Sequence, residues 1–161
     1  MVVMVIITIL ASLSLAGMAG ARQRAKIEKT RSTIRKIDSV IRPMFDSYRT
    51  RRVSVTATTN TKVNAQNVLL AKRDLMLREM PDTPSDVMTV SDFSSLPGYI
   101  TYRSGKNGDN GSAECLYMIL ARSGFDPEAL ESFRAEEIGD KDADGAPEFI
   151  DGWGNPIIFL R

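Results

Sequence analysis

The sequence predicts an α+β protein in which a long N-terminal helix, a membrane segment continuing into an amphipathic stalk, packs on a small head with further helices and a short antiparallel C-terminal sheet. Three observations predict it. Residues Met1–Ala21 carry no charged side chain, apolar residues then recur at helical spacing as far as Tyr48, and the remainder alternates short apolar runs with Gly-, Asn- and Asp-rich turns. The chain divides accordingly into a transmembrane or filament-core helix over residues 1–21, a stalk over 22–52 and a head over 53–161. Its 161 residues leave room for one globular domain of ordinary size and exclude a large multidomain enzyme.

The first segment is long enough to span a bilayer as a helix, which takes about 20 apolar residues. Its second half holds Ala16, Gly17, Ala19, Gly20 and Ala21, small side chains that let another helix approach closely in lipid. Three readings stand side by side: a single-pass anchor, a cleavable signal peptide, and an anchor that also packs into a helical fibre. The "AGA" ending at Ala21 suits cleavage, whereas the absence of a basic region ahead of the apolar run opposes it. Arg22, Arg24, Lys26, Lys29 and Arg31 follow directly, and the positive-inside rule alone would place them in the cytoplasm.

The stalk carries apolar residues at Ile27, Ile34, Ile37, Ile41, Met44 and Tyr48, steps of seven, three, four, three and four. Such steps gather them on one helix face. With neither Gly nor Pro between Ala21 and Arg42, the helix is expected to run unbroken from the membrane segment until Pro43 kinks or ends it. The stripe is short for a coiled-coil seam and is expected to pack on the head. Charge is split along the chain: residues 22–52 hold 11 Lys/Arg and 3 acids, 11 − 3 = +8, and residues 53–161 hold 10 Lys/Arg and 17 acids, 10 − 17 = −7. The basic face is a solvated surface or a contact for anionic lipid headgroups. Nucleic acid is not an expected partner, since no aromatic residues are interleaved with these cations and the head is acidic.

Within the head, "VSVTATTNTKV" reads as a short strand or an extended linker, and "NAQNVLLAKRDLMLREM" as a helix ending near Met80 before the breaker "PDTP". "GYITYR" suggests a strand, and "SGKNGDNGS" a loop. "SAECLYMILAR" reads as a helix with Ser112 as N-cap and Gly124 just past its end, and "DPEALESF" as a short helix capped by Asp126. The runs "PEFID" and "PIIFL", separated by a tight turn, predict a small antiparallel hairpin.

Catalysis has little to build on. There is no histidine, and the single cysteine, Cys115, lies in the apolar run "ECLYMILA", so no Ser-His-Asp or Cys-His pair, intrachain disulfide or cysteine-rich metal site can be assembled. The chain is therefore not expected to be an enzyme.

One motif does carry chemistry. Asp140, Asp142, Asp144 and Gly145 form D-x-D-x-D-G, and Asp151 stands eleven residues after Asp140. In a calcium loop alternate positions aim oxygens at one centre, the glycine permits a sharp turn, and a carboxylate at the twelfth place closes the shell. Asp140, Asp142, Asp144 and Asp151 are thus the candidate ligands over loop 140–151, with Ca²⁺ favoured over Mg²⁺, which holds its waters. A closing Asp in place of Glu, and Pro147 with "EFI" where a helix would exit, mean that such a loop would sit on a scaffold other than an EF-hand. The competing reading is an acidic, solvated turn.

Both ends suggest a family. "VVMVIITILASLSLAGMAGARQRA" resembles the hydrophobic N-terminal helix of type IV pilin-like proteins and of type II secretion pseudopilins. The acids followed by "FIDGWGNPIIF" are similar to the C-terminal region of major pseudopilins, where an Asp-x-Trp-Gly-Asn-Pro turn and a calcium loop recur; here the turn is Asp151, Trp153, Gly154, Asn155 and Pro156. The resemblance covers about the first fifty residues and the last twenty. It implies a filament subunit that assembles with other pilin-like subunits, is anchored in a bacterial inner membrane with its head in the periplasm, and is handled by secretion or pilus assembly machinery. The family's basic leader, Gly-Phe junction and following glutamate have no counterpart, because Met1 falls inside the helix. A truncated sequence, a start assigned too far downstream, or a divergent protein that escapes processing would each produce this. The rival reading is a membrane-tethered or secreted calcium-stabilised binding module.

Overall fold

The structure, a computed structural model, describes residues 2–87, 97–106 and 108–161, and within these leaves aside the side chains of residues 8–17 and 97. It is α+β. A first helix, α1 (Val2–Thr50), is followed by α2 (Thr61–Glu79), α3 (Pro97–Arg103) and α4 (Gly111–Arg122), and the chain ends in a two-stranded antiparallel sheet of β1 (Ile138–Gly139) and β2 (Glu148–Phe149). Among the described residues no helix is long and apolar enough to cross a membrane, and the middle of the apolar segment 1–21 lies outside the described side chains.

α1 does not stop at Pro43. It continues to Thr50 because Met44 and Tyr48, beyond the proline, are buried in the head and hold the last turns helical. Packing of this kind offsets a local penalty of about 3 kcal/mol for proline inside a helix. The buried stripe also differs in one position from its sequence reading. Ile34 is 47% exposed, and Thr33 takes the buried place beside it, while Ile37, Met44 and Tyr48 are buried as the spacing predicts. The stalk therefore packs on the head through this stripe.

Residues 51–60 stay outside helix and sheet, and Asn60 caps α2 by accepting hydrogen bonds from the Lys62 and Val63 N–H groups. "GYITYR" is helical, not a strand. Tyr99 and Tyr102 lie one turn apart, and the head rewards that spacing: Tyr99 is buried with its hydroxyl donating to the Glu79 carbonyl at 2.8 Å, and Tyr102 stacks on Tyr117 of α4. Tertiary contacts override the β preference of Tyr, Ile and Thr. α4 starts at Gly111, with Asn110 at the N-cap position two residues ahead of the expected Ser112, whose hydroxyl turns instead to the Phe159 carbonyl at 2.8 Å. "DPEALESF" tightens to a 3-10 turn over Ala129–Ser132, with the Asp126 carboxylate accepting the Glu128 N–H.

The C-terminal sheet also forms differently. β2 pairs with β1, Ile138 opposite Phe149 and Gly139 opposite Glu148, so the acidic loop is the connection between the two strands. The expected partner "PIIFL" contributes a single bridge, Ile150 to Pro156, extended by an Ile157 N–H to Phe149 carbonyl bond at 2.8 Å. The core lies between the stalk stripe, α4 and β2, where Phe149 packs on Phe133 and Tyr117 with ring centroids 4.5 and 5.4 Å apart.

Polar contacts lock the head on the stalk. Thr33 and Lys36 of α1 donate to the two oxygens of Glu137 at 2.7 and 2.6 Å, and the Gly152 N–H donates to Thr30 at 2.9 Å. Gly152 lies so close to the α1 backbone that a Cβ there would collide with the Lys26 carbonyl. Burial alone would push the Glu137 carboxyl up, but the bonds from the Arg134 N–H, Lys36 and Thr33 outweigh it and hold the group below the ordinary carboxylate value. Its stabilising effect is therefore complete above that value and is lost as pH falls through the lowered one. Glu137→Gln should lower stability by about 1–3 kcal/mol at neutral pH. Measured by denaturant unfolding, the gap between wild type and variant should narrow as pH falls from about 6 to about 3.

Candidate metal centre

The acidic loop is held at both stems by the β1–β2 pairing, which fixes where its carboxylates can point. Within it Gly145 adopts φ +83°, the left-handed turn that the D-x-D-x-D-G pattern requires, and Ala143 adopts φ +58°. A left-handed alanine costs about 1–2 kcal/mol. Its own amides satisfy part of the loop's charge: the Gly145 N–H donates to Asp140 at 2.9 Å, the Ala146 N–H to Asp144 at 2.8 Å and the Lys141 N–H to Glu148 at 2.8 Å. The segment before α4 lies against it from the other side. There the Gly108 N–H donates to Asp144 at 2.8 Å and the Asn110 N–H to Asp142 at 3.3 Å.

Two groups of carboxylates converge. Glu114 of α4 meets Asp142 and Asp144, and Asp140 meets Asp142 and Glu148 of β2; within each group the contributing oxygens lie within 4.8 Å of one another. Glu114 and Glu148 are fully buried. Three oxygens, Glu114 Oε1, Asp142 Oδ1 and Glu148 Oε2, are buried without a hydrogen-bond partner. Burial pushes the Glu148 carboxyl up, as do the neighbouring charges of Asp142, Asp140 and Asp144, against the opposing Lys141 N–H. Arg103 pairs with the other oxygen of Glu114, and the Lys141 ammonium turns away to Asn155.

Of the four ligands that the spacing suggests, the structure brings Asp140, Asp142 and Asp144 together and places Asp151 elsewhere. Asp151 builds the turn that follows. Its Oδ1 accepts the Trp153 and Asn155 N–H groups, each at 2.8 Å, and these bonds outweigh its burial and hold the carboxyl below its ordinary value. Glu114 and Glu148 were not singled out by the twelve-residue spacing. Each nevertheless leaves a trace in the sequence, a lone acid inside an apolar run, "SAECLYMIL" and "PEFI".

Such an all-oxygen set can hold a metal ion of the hard class, since it offers neither imidazole nor thiolate. Cys115 is buried, and burial pushes its thiol up to about 11, so it takes no part. Comparison with known protein families, curated proteins and solved structures found no match to this chain. A ligand present at a hundred times its Kd stabilises by about 2.7 kcal/mol, a melting rise of about 5–11 °C for a chain of this size. Calcium should raise the melting temperature by that order relative to EDTA, and Asp142→Asn should at least halve the rise. Asp151→Asn should lower melting in both conditions and leave the rise intact, as scanning calorimetry would show.

Proposed function

We propose that the chain is a structural subunit of a pilus-like or type II secretion pseudopilus filament, anchored through residues 1–21 in a bacterial inner membrane before assembly and carrying a calcium-stabilised loop on a periplasmic head. The observation that carries this reading is the asymmetry of α1. Its second half, from about Lys26 onward, is seated on the head, while the start of the same helix exposes Val2 at 73%, Ile6 at 51% and Met18 at 55%. Leaving a side chain of this size in water forfeits about 1.5–3 kcal/mol relative to burying it. Lipid before assembly and neighbouring copies afterwards would cover that surface.

The C-terminal turn supports the same reading. Asp151 organises "DGWGNP", and Gly152 ties the turn to Thr30 of the stalk, so the segment that resembles a pseudopilin signature is also where the head grips the long helix. Calcium is the favoured ion because the centre is rich in carboxylates carried partly on a loop, which suits six to eight flexible oxygen ligands better than the strict octahedron of Mg²⁺. The bound ion would order the head for packing against neighbours, with secretion or pilus assembly machinery adding subunits one at a time.

Ile6→Cys tests assembly directly, because the native Cys115 is buried and unreactive. Oxidative cross-linking in cells that carry the cognate secretion or pilus machinery should produce disulfide-linked dimers, since one accessible thiol per chain joins two neighbouring copies. Monomers alone would contradict the filament reading and favour a membrane-tethered or secreted calcium-stabilised binding module.

A further inference from the structure

The carboxylates of the acidic centre do not gather about a single point. Five side chains converge, Glu114, Asp140, Asp142, Asp144 and Glu148, yet they fall into two overlapping groups of three with Asp142 common to both. Calcium binds oxygen at about 2.3–2.6 Å, so two ligands of one ion stand at most about 5 Å apart. Each group of three meets that limit. The five together divide between two such spheres, one closed by α4 through Glu114 and the other by β2 through Glu148.

Charge leads to the same count. Five ionised carboxylates carry −5, and the paired Arg103 guanidinium brings the centre to −4. One divalent ion would leave −2 in a site where two members are fully buried; a pair would leave none. The orphaned oxygens are distributed to match. Glu114 Oε1 belongs to a member of one group only, Glu148 Oε2 to a member of the other, and Asp142 Oδ1 to the residue they share.

We propose that this centre takes two divalent cations, one held by Glu114, Asp142 and Asp144 and the other by Asp140, Asp142 and Glu148, with the Asp142 carboxylate bridging them. The proposal rests on the reading of the acidic loop as a cation site and extends it from the loop to α4 and β2. Water and backbone carbonyls complete each shell. The two ions thereby staple the loop to a helix on one side and to the sheet on the other.

Stoichiometry decides it. The full chain in detergent micelles is stripped with chelator, titrated with CaCl₂ in a calorimeter and weighed by native mass spectrometry. Wild type should take two ions per chain. Glu114→Gln and Glu148→Gln should each take one, and Asp142→Asn should lose at least tenfold in affinity for both. Glu148→Gln disturbs no ion pair, so it remains informative if Glu114→Gln, which frees Arg103, fails to fold by circular dichroism. One ion in wild type would overturn the paired site and leave a cation loop standing; none would overturn both. Two ions untouched by the three substitutions would place calcium elsewhere and overturn the proposal.

Discussion

The constraint on which the head depends is electrostatic. Two glutamates, Glu114 and Glu148, are fully buried beside three aspartates, and an ionised carboxylate taken out of water costs several kcal/mol unless something offsets it. The fold supplies only part of the compensation, through Arg103, a few loop amides and Asn110. A proton, an ordered water or a metal ion supplies the remainder. That requirement couples α4, the segment 108–110, the acidic loop and β2, because all of them bring groups to the same small volume.

The second organising contact is the seating of the head on α1. Apolar burial of Ile37, Met44 and Tyr48 supplies area, and the Glu137 bonds to Thr33 and Lys36 set the register of helix against head. Register matters because the turn after Asp151 must meet α1 where Gly152 can approach its backbone. The two regions are linked through a short stretch of chain, since β1 follows Glu137 directly and leads into Asp140. Ordering the acidic loop therefore also steadies the strand that begins at the stalk contact.

Much of this was legible in the sequence. The heptad-like steps from Ile37 to Tyr48 located the stalk face, and D-x-D-x-D-G located three of the five converging carboxylates. What escaped was decided by long-range packing. "GYITYR" is helical because Tyr99 and Tyr102 find partners one turn apart, Pro43 is tolerated because Tyr48 is buried beyond it, and Thr33 displaces Ile34 because Glu137 lies opposite. Glu114 and Glu148 approach the loop from elements that spacing along the chain cannot connect, and Asp151 meets the twelfth-position rule while its bonds serve a turn.

Hydrogen exchange on the full chain, followed residue by residue with calcium and with EDTA, shows whether a cation organises the acidic centre. The amides of Gly108, Asn110, Lys141, Gly145 and Ala146 donate to the converging carboxylates and report on the centre itself. Calcium should slow their exchange on both sides of the site, in the loop and in the segment before α4. Equal exchange with and without calcium at all five would contradict a cation-organised centre and reduce the acidic loop to a solvated turn.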